Sequence, residues 1–155
     1  MTVYRIRARS TAPPAADWRE QLAARLGGRP RRIGRWAELG LYGALQCMTA
    51  GGETTLGAHA ALVLSSQHGP AFAMHEALAQ AREGLPLPLT FLQIQPNQLL
   101  ATLSAQLHWC GDARFVTEPD PLAVLDLALA MADGHADGLL LGWVNELGPQ
   151  GGLCE

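Results

Sequence analysis

The stretch Ala113–Glu146 constrains the fold more than any other part of the sequence, because its helix is apolar on every side. The pattern predicts a short strand (Ala113–Thr117), a tight elbow (Glu118–Pro121), a helix (Leu122–Asp133) and a buried strand (Asp137–Val144). A helix that is apolar all round must be buried all round. One sheet in so short a chain covers only one side, so the sequence predicts that something else covers the other. Asp126 is the only charged residue of this helix before Asp133, and it is expected to pair with an arginine or a backbone donor.

The remaining segments predict an α/β protein. Strands are predicted at Val3–Arg9 and Ala60–Ser66, and helices at Asp17–Leu26, Arg31–Met48, Pro70–Glu83 and Asn97–His108. Leu85–Pro96 is too rich in proline for a regular element and too apolar for a free loop, so it is expected to pack on something. The order β-α-α-β-α-α-β-α-β predicts a mostly parallel or mixed sheet of about four or five strands with helices on both faces.

Composition argues against several classes of protein. The three cysteines (Cys47, Cys110 and Cys154) show no paired spacing and no signal peptide is evident, which predicts reduced thiols and a cytoplasmic location. The five histidines lack ligand spacing, so no metal is expected, and no glycine-rich nucleotide loop follows a strand, so no cofactor is expected. The two long uncharged stretches are interrupted by Gly, Pro, Gln and His, so neither predicts a membrane span.

Charge is unevenly distributed along the chain. All 11 basic residues are arginine, and nine of them precede Trp36. With Asp17 and Glu20 as the only acids there, the first 35 residues carry +7 and the remainder carries −10. The pattern is typical of a solvated basic edge, and the alternative is a docking patch for an acidic partner. Nucleic acid is not an expected partner, because the net charge is −3 and no aromatic residues alternate with the arginines.

Three short motifs recur in the order and spacing of a known family. They are Leu64-Ser65-Ser66-Gln67-His68-Gly69, then Leu87-Pro88-Leu89-Thr90-Phe91 leading to Asn97, and last Asn145-Glu146-Leu147-Gly148-Pro149. From Val3 to Pro149, the sequence resembles the amino-terminal half of the β-ketoacyl synthases, the condensing enzymes with the thiolase fold. Within that family it looks most like the small chain-length-factor-like proteins of aryl polyene and xanthomonadin-type pathways. The resemblance implies one ketosynthase-like amino-terminal domain over residues 1–155, without the carboxy-terminal catalytic half.

The resemblance also implies a degenerate catalytic elbow. Active ketosynthases carry a cysteine nucleophile there, at the amino terminus of the central helix. In this sequence Glu118, Pro119 and Asp120 occupy the elbow, with Pro119 at the position of the nucleophile. Asp120 is expected to cap the helix, with Pro121 at its first position. Cys110 precedes the strand, so it is expected at the opposite end of the sheet.

The resemblance therefore implies a non-catalytic subunit that pairs with an active β-ketoacyl synthase in fatty-acid or polyene-type biosynthesis. In such pairs, the strand equivalent to Ala113–Thr117 pairs across the dimer axis. The implied acyl-tunnel or interface residues are Phe91, Leu92, Gln93, Asn97, Phe115, Val116 and Thr117. The implied docking residues for an acyl carrier protein are Arg29, Arg31, Arg32 and Arg35. The alternatives are an acyl-thioester-binding acyltransferase or thioesterase, and a self-associating binding module that forms a homodimer.

Overall fold

The computed structural model describes residues 4–10, 13–85, 87–132, 135–146 and 152–154, in which the strands are separated by one to three helices, apart from the final pair of strands. Across these residues the helices are α1 (Trp18–Leu26), α2 (Arg35–Ala50), α3 (Ala71–Arg82), α4 (Pro88–Gln93), α5 (Asn97–Gln106) and α6 (Pro121–Met131). The strands are β1 (Ala61–Ser66), β2 (Asp112–Thr117), β3 (Leu139–Glu146) and β4 (Gly152–Cys154).

The sheet has the strand order β2-β1-β3-β4. β1 lies at the centre and pairs in parallel with β2 on one side and β3 on the other, so that Leu64 stands opposite Phe115 and Gly142. β4 pairs with the end of β3 in the antiparallel sense. The predicted α/β class is confirmed. The parallel part has three strands, which is fewer than predicted, and β4 adds a short edge that the sequence pattern did not indicate.

Helices cover both faces of the sheet, as predicted. Because side chains alternate along a strand, Leu62 and Leu64 point to one face and Val63 to the other. The first face packs against α1, α2 and α5 and forms the main core around Trp36. The second face carries α6, whose Val124 and Ala128 pack on Val63 in a much smaller cluster. The two faces are therefore unequally covered.

The predicted strand at Val3–Arg9 is wrong for the residues that the structure describes. Residues 4–10 have no regular structure, and Ile6 is 78% exposed. Polar contacts hold the segment instead: the Tyr4 hydroxyl donates to the Ala132 carbonyl (3.2 Å), and Arg7 forms an ion pair with Glu53. Alternation of apolar and polar residues is necessary for a half-buried strand, but a strand also needs a neighbour with a free edge.

Two helical segments also differ from the sequence prediction: one was not predicted at all, and the other begins later than expected. Pro88–Gln93 forms α4 within a stretch predicted to have no regular element, because Pro88 lies in the first turn, where a proline costs no hydrogen bond. α2 begins at Arg35 rather than Arg31, because Arg32 has a φ of 66° and Gly34 is extended. Val3, Asp133 and the Leu147–Pro149 end of the third motif lie outside the described residues.

Two further properties concern the described part of the chain alone. None of its helices is both long enough and apolar enough to cross a membrane. Within the same residues, no group of three or more histidine, cysteine, aspartate or glutamate side chains is arranged to hold a metal ion.

Candidate functional site at the carboxyl edge of the sheet

The elbow after β2 is a turn held by hydrogen bonds within itself and from strands β1 and β3. The Glu118 carbonyl accepts from the Ser65 hydroxyl (3.1 Å) and from the Trp143 indole N–H (3.2 Å). The Glu118 carboxylate accepts from the Asp120 backbone N–H (3.0 Å), and the Asp120 carboxylate accepts from the Leu122 N–H (2.9 Å). Asp120 therefore caps α6, with Pro121 at its first position, as predicted.

This arrangement offers no obvious acyl-transfer chemistry. Glu118, Pro119 and Asp120 carry neither a thiol nor a hydroxyl group. The hydroxyls at the end of the neighbouring strand belong to Ser65 and Ser66, and both residues are fully buried, at 0% exposure. A helix amino terminus normally stabilises a thiolate or an oxyanion. Here two carboxylates already accept from the backbone N–H groups at that point, so an additional anion would meet like charge.

The cysteines lie elsewhere in the fold. Cys110 is an exposed free thiol that precedes β2. Because a strand rises about 3.3 Å per residue, the six residues of β2 separate it from the elbow by roughly 20 Å. Cys47 is a half-buried free thiol in α2, and burial, together with the charge of Glu53, raises its pKa. Cys110 thus cannot act at the elbow without a large rearrangement.

A buried polar network joins the ends of β1 and β3. The Asn145 side-chain oxygen accepts from the Ser66 hydroxyl (2.8 Å) and from the Gln67 backbone N–H (3.0 Å). The Ser66 oxygen in turn accepts from the Gly69 N–H (2.8 Å). Gly69 has a φ of 58°, which favours glycine, and His68 beside it is exposed. The network therefore fixes the turn that leads into α3, and it brings the first and third sequence motifs into contact.

Glu146 extends this connection to α3. Its carboxylate accepts from the Phe72 backbone N–H (3.3 Å), and Arg35 and Arg19 act on it electrostatically. Burial raises the pKa of Glu146 above its ordinary value of 4.5, although the hydrogen bond and the two arginines lower it in part.

The pKa of Glu146 predicts a pH dependence of stability. Because its pKa is higher in the folded state, its stabilising contribution is present below pH 4.5 and is lost as the pH rises through the raised pKa. Glutamine does not ionise, so Glu146→Gln does not lose stability by ionisation at this position. We therefore expect the variant to gain stability relative to the wild type as the pH rises from 4 toward neutrality. Urea unfolding across that range measures the difference. A relative loss of stability for Glu146→Gln over that range would contradict the prediction.

An apolar surface projects from the carboxyl edge of the sheet. α3 packs against α4 and contains no buried residue. The large exposed hydrophobic residues of this region, which we call the α3–α4 surface, are Phe72, Met74, Leu78, Leu85, Leu87, Leu89, Phe91 and Leu92. Exposed apolar patches of this kind in soluble proteins mark sites of interaction.

The residues implied as tunnel or interface residues fall into separate places. Phe91 and Leu92 belong to the α3–α4 surface, at 60% and 41% exposure. Gln93 is half-buried, Asn97 is exposed at the start of α5, and Thr117 is exposed at the end of β2.

The other two of these residues occupy opposite faces of β2. Phe115 packs edge-on against Trp36, with ring centroids 5.7 Å apart, on the side of the main core. Val116 packs on the smaller cluster beneath α6. The structure thus brings Phe91 and Leu92 together with the apolar residues of α3, and it directs Phe115 and Val116 into two different layers.

The arginine segment, residues 29–35, lies beside α4. A side chain at Gly34 would come within 3.1 Å of the Gln93 Cβ, which shows how closely the two segments approach. Arg31 and Arg32 are exposed, whereas Arg29 lies 3.6 Å from Glu20. Arg35 is half-buried and acts on Glu38 and Glu146. The basic segment thus adjoins the α3–α4 surface, with Arg29, Arg31 and Arg32 exposed on it.

β2 forms one edge of the sheet. Arg114 and Asp112 form an ion pair on it (2.6 Å), and both side chains are about half exposed. Charged side chains on an edge strand hinder indiscriminate pairing with other strands. The edge can nevertheless pair with a partner strand whose charges are complementary to those of Arg114 and Asp112.

Comparisons with known proteins identify the fold. No protein-family model matches the sequence, and no curated protein sequence matches it. Among solved structures, the ishigamide ketosynthase/chain length factor aligns with a TM-score of 0.61 and 18% identity over 75% of this chain and 32% of that one. The ketosynthase ApeO in complex with its chain length factor ApeC, from Xenorhabdus doucetiae, aligns with a TM-score of 0.58 and 17% identity over 93% of this chain and 74% of the matched chain.

The architecture is thus an α/β sheet of the thiolase type. More particularly, the chain has the fold of ketosynthase/chain length factor proteins, which confirms the resemblance at the level of the fold. It spans about a third of the length of the ishigamide protein, and about three quarters of the matched chain of the second complex.

Proposed function

We propose that this chain is a non-catalytic, chain-length-factor-like subunit that pairs with an active β-ketoacyl synthase in fatty-acid or polyene-type biosynthesis. The main support is the match over 93% of the chain to one member of the ApeO–ApeC complex, a ketosynthase with its chain length factor. We further propose that residues 1–155 form one ketosynthase-like domain. A cytoplasmic location belongs to the same proposal, because the free thiols of Cys47 and Cys110 suit a reducing compartment.

The non-catalytic role is supported by the elbow. Its two carboxylates are engaged in holding the turn and capping α6, and Pro119 has no group able to attack a thioester. The acyltransferase or thioesterase alternative needs a nucleophile or a general base at an accessible point. The hydroxyls of Ser65 and Ser66 are buried and hydrogen-bonded, which argues against them in that role.

The proposed interface combines the β2 edge with the α3–α4 surface. An edge strand gains main-chain hydrogen bonds by adding to a partner's sheet, and Thr117 at its end remains exposed. The α3–α4 surface supplies apolar area, and its Phe91 and Leu92 are proposed contacts with the acyl tunnel. Asn97, at the start of α5, is a further proposed contact. We propose the exposed Arg31 and Arg32, beside this surface, as contacts for an acidic acyl carrier protein.

Coexpression tests the proposed pairing. The chain, tagged, is produced in turn with each ketosynthase of its own genome, and we expect one of them to copurify in a stoichiometric complex. Phe91→Glu places a charge in the apolar contact and is expected to weaken that complex at least about thirtyfold. Ile6→Glu, at a 78% exposed residue away from this surface, is the matched control and should leave pairing unchanged. A chain that stays monomeric with every ketosynthase would refute the proposal.

A further inference from the structure

The outer face of α6 is apolar and uncovered by the residues that the structure describes. Val124 and Ala128 on its inner face are at most 1% exposed, whereas Leu122 is 71% and Leu127 42% exposed on the outside. Asp126 and Ala130 are exposed as well. The sheet therefore buries the inner face of this helix, whereas the burial that the sequence predicts for its outer face is not provided by the described residues.

Asp126 restricts what the missing cover can be. Sequence reasoning predicted an arginine or backbone donor for it, and among the described residues its carboxylate has neither a hydrogen bond nor an ion pair. It lies one turn from Leu122 and adjacent to Leu127, so any surface that covers both leucines also covers the carboxylate. Burial of an unpaired carboxylate is strongly unfavourable. A stable cover must therefore bring a cation or hydrogen-bond donors to Asp126.

A second copy of this chain is a poor candidate for that cover. Two-fold packing of α6 on α6 would bring the two Asp126 carboxylates toward each other. The elbow adds the carboxylates of Glu118 and Asp120 at the amino-terminal end of the same helix. Like charges facing each other across an interface oppose association. The charge on this face therefore disfavours α6 packing on its own copy and favours a partner surface that carries a cation.

We infer that the outer face of α6 is a second contact with the ketosynthase partner, whose apolar surface there carries an arginine or lysine opposite Asp126. The identity of that partner rests on the proposed function, whereas the chemistry of the contact rests on α6. The contact is separate from the α3–α4 surface, because its residues belong to a different helix on the second face of the sheet. Since the elbow leads directly into α6, the same partner surface also adjoins Glu118, Pro119 and Asp120.

Charge and size substitutions on α6 test this contact in the coexpressed complex. Asp126→Arg sets like charges against each other and Leu127→Glu places a carboxylate in the apolar contact, so each is expected to weaken the complex at least about thirtyfold. Asp126→Asn keeps the shape and is expected to weaken it less than Asp126→Arg. The matched control is Ile6→Glu, at an exposed position outside α6 that should leave affinity unchanged. Thermal unfolding of each isolated variant verifies that the fold is kept.

Each outcome separates this inference from the proposed function. If a ketosynthase binds with unchanged affinity to Asp126→Arg and Leu127→Glu, the α6 contact is wrong while the proposed pairing stands. If no ketosynthase binds the wild-type chain, both are wrong. If light scattering shows that the chain alone forms a dimer that Leu127→Glu dissociates, the cover is a second copy and the inference is overturned.

Discussion

Trp36→Ala is expected to lower the free energy of unfolding by about 4 kcal/mol, within the range for truncation of a large buried aromatic residue. Trp36 is 2% exposed and lies in the main core between α2 and the sheet. Its indole N–H donates to the Val144 carbonyl on β3 (3.1 Å), while its ring meets Phe115 on β2 edge-on, with ring planes at 85°. One side chain thus joins a helix to two strands on either side of β1.

Thermal and urea unfolding measure the effect. For a chain of this size a loss of about 4 kcal/mol corresponds to a fall in melting temperature of roughly 8–16 °C. Trp36→Phe keeps an aromatic ring but loses the hydrogen bond, so its cost is expected to be smaller. Phe72→Ala removes an aromatic side chain that is 37% exposed, and it should change stability far less. Similar losses for Trp36→Ala and Phe72→Ala would show that the core is not organised around Trp36.

The sequence predicted the fold where a pattern had a single structural explanation. The continuous apolar run that ends at Ser66 became the central strand β1, covered on both faces, and the apolar helix became α6. The alternating pattern at Val3–Arg9 gave a wrong prediction of a strand, because alternation indicates which residues would be exposed but does not provide a neighbouring strand to pair with. The proline-rich segment was predicted to have no regular structure, yet it contains α4, since Pro88 occupies a helical position that tolerates proline.

The site was only partly predictable for a similar reason. The capped elbow followed from local chemistry, because Asp120 and Pro121 act on their own helix. The network around Asn145 did not, because Ser66 and Asn145 are 79 residues apart in sequence. One signal was available: both polar residues end apolar runs, and the carboxyl ends of parallel strands meet at one edge of a sheet. The sequence likewise could not predict that Asp126 has no partner among the described residues, since a single carboxylate does not reveal whether its partner lies in the same chain.

Asn145→Ala is expected to lower the free energy of unfolding by about 3 kcal/mol, because it leaves the buried Ser66 hydroxyl and the part-buried Gln67 N–H without their acceptor. The Ser66 hydroxyl and the Gln67 N–H both donate to Asn145, which is 4% exposed. The loss should also loosen the turn that begins α3, so the Gln67 amide is expected to exchange its hydrogen faster. Urea unfolding and hydrogen exchange measure the two effects.

A double-mutant cycle separates the network from simple loss of packing. Ser66→Ala removes one of the donors that Asn145 satisfies, so Ser66→Ala combined with Asn145→Ala should cost less than the sum of the single changes, by about 1 kcal/mol or more. Asn97→Ala changes an exposed asparagine at the start of α5 and should lie within about 0.5 kcal/mol of the wild type. Additive costs for Ser66 and Asn145 would mean that the two side chains stabilise the edge independently. In that case the Ser66–Asn145 contact would not be what fixes the turn into α3, and the Gln67–Asn145 and Phe72–Glu146 hydrogen bonds would attach that turn to β3.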